Sequence, residues 1–142
     1  EIWTRPVNLQ VKDEVIYYIE RFNMILDTLT DYETENAIVL EGAAFLPALI
    51  HLCNIQPHQA IFLIPTKSFQ IDHYSKRPWI KPILDSCENP QKAFAAWMAR
   101  DHLFGQEIIK QAKMYHYKTI IVDQNLTKDA LYAQVKSHFH LI

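Results

Sequence analysis

The sequence predicts an α/β domain, a three-layer sandwich with a short parallel sheet between helices. Three observations carry that prediction: three short uninterrupted apolar runs, helix-periodic segments between them, and turn or cap residues at the changeovers. The runs are Ala37-Ile38-Val39-Leu40, Ala60-Ile61-Phe62-Leu63-Ile64 and Thr119-Ile120-Ile121-Val122. Each is short and lacks the alternation of a strand with one wet face, so each reads as a strand buried on both faces.

Before the first run, Val11, Val15, Ile16, Ile19, Phe22, Leu26 and Leu29 recur at three- and four-residue steps, which places them on one face of a long helix. Residues 31–36 are polar and end it. Residues 46–53 read as a helix with Pro47 in its first turn. Pro65-Thr66 stops the second strand, and 68–74 follows as a short helix or loop. Arg77-Pro78-Trp79 opens a helical stretch to Cys87 with Pro82 as an expected kink. Asn89-Pro90 offers a cap and first turn for a long helix through Phe94, Trp97 and Met98 to Ala112. After the third strand, Asn125 or Thr127 caps a last helix carrying Ala130, Leu131, Val135 and Phe139. The aromatic positions fit helical stripes and are expected in the core.

A chain of 142 residues that is 49% hydrophobic has the length and apolar content of one domain. Its formal net charge of -2, with Lys and Arg dispersed, argues against nucleic acid as a main partner. No apolar stretch is long enough to span a bilayer, and no signal peptide opens the chain, so no membrane partner and a cytoplasmic location are expected. Cys53 and Cys87 read as free buried thiols, in keeping with a reducing compartment, with a disulfide as the alternative only if geometry permits. The seven histidines lack the spacing of a zinc ligand set, and neither thiol sits in an activating sequence, so no directly ligated metal and no Cys-His nucleophile are expected.

Ligands of open parallel sheets gather beyond the carboxyl ends of the strands. Those ends are Glu41-Gly42, Pro65-Thr66 and Asp123-Gln124. A carboxylate at Glu41 suits water-mediated magnesium binding or proton abstraction from a hydroxyl, and equally a loop cap on backbone N–H groups. Arg77 lies in the cationic stretch Tyr74-Ser75-Lys76-Arg77-Pro78-Trp79, where a lid arginine would fork onto phosphate oxygens and a surface arginine would merely be solvated. Arg100-Asp101 reads either as a second phosphate clamp or as a helix-surface ion pair.

The segments Ile38-Val-Leu-Glu-Gly-Ala-Ala-Phe-Leu-Pro47 and Ile61-Phe-Leu-Ile-Pro-Thr66, followed by Phe69-Gln70, His73-Tyr74 and Arg77-Pro-Trp79, line up with a known pattern. So do Ala93-Phe94, Trp97-Met-Ala-Arg-Asp101 and Ile120-Ile-Val-Asp123. In that order the chain resembles P-loop small-molecule kinases of the uridine, gluconate and shikimate kinase type, and most closely a bacterial AAA-labelled kinase-like group. The resemblance implies a transferase moving a phosphoryl group from ATP to a small hydroxylated metabolite or nucleoside. It implies Glu41, Arg77 and Arg100 as catalytic residues, Asp123 and Gln124 near the adenine, and Gly42, Thr66 and Tyr74 near the acceptor.

One departure is large. The only glycines are Gly42 and Gly105, so no G-x-x-x-x-G-K-[ST] phosphate loop exists within these residues. In the resembled fold the strand leading to that loop lies between the strands matched by residues 37–40 and 60–64. The chain, which begins at Glu1, is therefore expected to be a portion of a larger one. ATP and Mg²⁺ are expected only for the complete protein, and the isolated chain is expected to be inactive. The alternative is a non-catalytic nucleotide- or metabolite-binding domain or a structural oligomerisation unit. A second copy, a separate peptide or an N-terminal segment would complete the sheet.

Overall fold

In the computed structural model, which describes residues 2–32 and 34–141, a short 3-10 turn at Ile2–Thr4 leads into helix α1, Val7–Thr30. Its buried stripe differs from the expected one. Gln10 and Phe22 are buried and Val15, Tyr18 and Leu26 pack inward, whereas Ile16 and Ile19 are 45% and 41% exposed. α1 leans mainly on one long helix, so its broad apolar face is only partly covered.

Helix α2, Pro47–Leu52, starts with proline at a position whose N–H would be unbonded anyway. Asn54, at φ 58°, ends it, and the Ile55 N–H donates to the Ile50 carbonyl at 3.1 Å. Strand β1, Ile61–Pro65, and strand β2, Lys118–Val122, pair in parallel from Ile61↔Lys118 to Pro65↔Val122. The crossover between them holds α3, Lys67–Ser75, α4, Ile80–Asp85, and α5, Pro90–Met114; α6, Lys128–His138, follows β2. Pro82 kinks nothing, because α4 begins two residues before it and the missing N–H falls among the unbonded donors of the first turn.

Asn89 caps α5 by accepting the Lys92 N–H at 2.9 Å, and Thr127, not Asn125, caps α6 by accepting the Ala130 N–H at 3.1 Å. Asn89→Ala is expected to cost about 1 kcal/mol, read as a lower urea midpoint with unchanged slope. Gly105 has a packing reason: a Cβ there would sit 3.2 Å from Ile64 Cγ2, where α5 crosses β1. α5 is the centre of the molecule, contacting α1, α2, α3, α4 and both strands. Ala112, fully buried, packs with Phe22, Ile50 and Tyr117, while Leu46, Ile64 and Ile108 form a second cluster.

Three expectations are corrected. Residues 37–40 form no strand; they are exposed, and Val39 is 92% exposed. Apolar letters qualify a segment for burial, but a strand also needs an edge to bond, and among the described residues β1 and β2 pair only with each other. Cys53 is exposed at the end of α2, and Cys87 is partly buried with its Sγ donating to the Ile83 carbonyl at 3.6 Å. Tyr17, Tyr32, Trp79 and Tyr132 lie on the surface, unlike Trp97 and Tyr117.

The coarse α/β class holds, with 63% helix and a two-stranded parallel sheet. That sheet is unusually bare. Leu63 shares a face with the buried Ile120 yet is 44% exposed, and Ile121, beside the buried Ile64, is 48% exposed.

Candidate functional site

The carboxyl ends of the two strands lie side by side. The Thr66 N–H donates to the Val122 carbonyl at 2.8 Å, one residue past the last strand pair, which brings Thr66 beside the turn holding Asp123. The Thr66 hydroxyl caps α3, accepting the Phe69 N–H at 3.3 Å. Asp123 Oδ1 accepts the N–H groups of Asn125 and Leu126 at 2.9 and 3.0 Å, so one oxygen organises the turn into α6. Gln124 is exposed beside it.

A second group forms where α3, α4 and α5 meet. Arg77 lies two residues past the end of α3, its guanidinium 4.4 Å above the Tyr74 ring and 5.8 Å from that of Trp79. Beside it a shallow groove of about 340 Å³ is lined by Ser75, Arg77, Ile80, Leu84 and Phe94. Trp97 is the hub of this region, stacked on Trp3 at 5.0 Å and meeting Tyr74 and Trp79 at 6.0 and 5.9 Å.

Arg100 continues the group inward. Its Nη2 and Nε donate to Asp101 Oδ1 at 2.6 and 2.9 Å, and its guanidinium lies 5.1 Å from the Trp3 ring. Glu14 of α1 completes an ion triad, its Oε2 3.2 Å from Arg100 Nε. This triad is not a surface pair: the three side chains are only 16–20% exposed. Burial raises the pKa of Glu14, with Asp101 adding to the rise and Arg100 opposing it. Burial likewise raises that of Asp101 against the pull of Arg100. The Tyr74 hydroxyl is also pushed up, first by burial and then by Asp101.

The structure thus gathers Thr66, Asp123 and Gln124 at one place and Tyr74, Arg77 and Arg100 at another. Glu41 and Gly42 join neither through any bond among the described residues. Glu41 is exposed, and Gly42, at φ 151°, occupies backbone space that side chains rarely enter, just before α2. Sequence reasoning missed Glu14. Its signal was a carboxylate on the inward stripe of α1, one turn from both Gln10 and Tyr18.

Among the described residues no group of three His, Cys, Asp or Glu side chains has a metal-binding arrangement. No helix among them is long and apolar enough to cross a membrane. Comparison with protein-family models, with curated proteins and with solved structures finds no match.

Proposed function

We propose that this chain is the acceptor and lid portion of an ATP-dependent P-loop kinase, cytoplasmic, that phosphorylates a small hydroxylated metabolite or nucleoside. The fold is then an incomplete three-layer sandwich whose phosphate-loop strand stands between residues 37–40 and β1. The single observation that supports this most is the bare parallel pair together with the exposed apolar run at 37–40. Both are what removing one central strand from a buried sheet would leave.

In the complete protein Thr66 and Asp123 flank the nucleotide end of the sheet, and Arg77, already stacked on Tyr74, closes over the transferring group. With magnesium and ATP bound, the γ-phosphoryl group would be the electrophile and ADP the leaving group, and Glu41 would take the proton of the acceptor hydroxyl. The 142 residues alone should give no heat of binding with magnesium and ATP in a calorimetric titration. Tight, magnesium-dependent binding by this chain alone contradicts the proposal.

A second reading has its own observation. Arg100 is held by two carboxylates and Asp123 by its own turn, as in a non-catalytic relative in which these groups only stabilise the fold. The substitutions of Glu41 and Arg77 discussed below separate the two.

A further inference from the structure

We infer that Glu14, Arg100 and Asp101 form a proton-operated clamp that holds α1 and its preceding turn on α5. The geometry carries it. Two carboxylates face one guanidinium, so with both ionised the cluster keeps one uncompensated negative charge at side chains only 16–20% exposed.

The hydrogen bonding is one donor short as well. Arg100 directs its Nε–H at Asp101 Oδ1, leaving Glu14 Oε2 close by but outside hydrogen-bond geometry. One turn earlier on α1, Gln10 is 2% exposed and spends its amide N–H on the Arg5 carbonyl at 2.8 Å. Its Oε1, like Glu14 Oε2, has no hydrogen-bond partner among the described residues. A single proton on the carboxylates removes the excess charge and adds the missing donor.

The groups around Glu14 are few and named. On α1 the Tyr18 hydroxyl donates to Glu14 Oε1 at 3.5 Å; α5 presents Arg100 and Asp101; α3 presents Tyr74, with Arg77 stacked behind it; the N-terminal turn presents Trp3. None of them is a second cation directly on the carboxylates, and both tyrosines are held protonated by burial and by the neighbouring carboxylates.

The sign follows from linkage. Burial raises both acids in the folded state, so the folded chain keeps a proton that the unfolded chain releases. The stabilising contribution is complete below the ordinary carboxylate values of 4.5 and 3.8 and is lost as pH rises through the raised folded values. α1 is therefore held more tightly in acid, below those ordinary values, than at neutral pH. The clamp does not depend on the kinase reading.

The test is hydrogen exchange of α1 amides between about pH 4 and 8, corrected for intrinsic exchange. It is read beside tryptophan emission, because all three tryptophans, Trp3, Trp79 and Trp97, sit together at the cluster. The opening of α1 should rise as pH passes upward through the raised carboxylate values, by a factor of about ten for each pKa unit by which folding raises them. Glu14→Gln, which keeps the shape and removes the charge, should flatten the dependence at the low-opening level. Opening of the native chain that is independent of pH, or a variant with an unchanged pH slope, overturns the clamp. Should Glu14→Gln not fold, Asp101→Asn carries the same test: a flat profile supports the clamp and an unchanged slope refutes it.

Discussion

Arg100→Met should be among the most destabilising single substitutions in this chain. It leaves Glu14 and Asp101 facing each other with no cation, at positions where both are already reluctant to ionise. Removing one partner of a buried ion network costs about 3–5 kcal/mol, because the remaining charge stays desolvated. At this chain length that corresponds to a melting temperature lower by about 10 °C. The loss should be largest at neutral pH and smaller in acid, where the carboxylates take up protons. Lys81→Met is the internal control. The Lys81–Asp85 pair is closed at 2.6 Å but lies on the surface, with side chains 78% and 56% exposed. Exposed pairs of this kind contribute about 0–1 kcal/mol, so its melting temperature should barely move. Equal losses in both variants would mean that the triad carries no special burden.

Glu41→Gln and Arg77→Ala test function rather than stability, in the full-length protein. Both side chains are exposed and neither closes an ion pair among the described residues, so the fold should survive each change. The proposal expects phosphotransfer to fall by about 10²–10⁴-fold for Glu41→Gln, the usual worth of a general base. For Arg77→Ala the expected fall is about 10²–10³-fold, the usual worth of one group stabilising transition-state charge. Unaltered melting temperatures would show that the losses are chemical. If every measurable function is untouched by both substitutions, the non-catalytic reading replaces the kinase one.

Much of the architecture was legible because local signals govern it. Helical periodicity located α1, the Asn89-Pro90 pair located the start of α5, and apolar runs stopped by Pro65 and Asp123 located the two strands. The same kind of run at residues 37–40 misled, because pairing is a property of two segments and hydrophobicity a property of one. α1 misled for a related reason. Its apolar residues span more than one face, and only tertiary contact selects Phe22 and Tyr18 over Ile16 and Ile19.

The candidate site was legible in kind more than in partnership. Thr66 and Asp123 lie side by side because the two strands they follow end together, whereas Glu41 and Gly42 follow no strand. Arg77 and Tyr74 lie three residues apart across a helix end, where stacking needs no distant contact. Arg100 was another matter, since its choice between phosphate and carboxylate depends on Glu14, which lies 86 positions earlier in the sequence. No pattern around Arg100 announces that partner.

The most direct measurement for the central proposal is the sequence of the coding region preceding the codon for Glu1. The account predicts about 30 to 60 upstream residues holding a β-strand that ends in G-x-x-x-x-G-K-[ST], the strand and loop that would complete the sheet and cradle the phosphates. A start codon at or beside Glu1, or an upstream region without that motif, would contradict it.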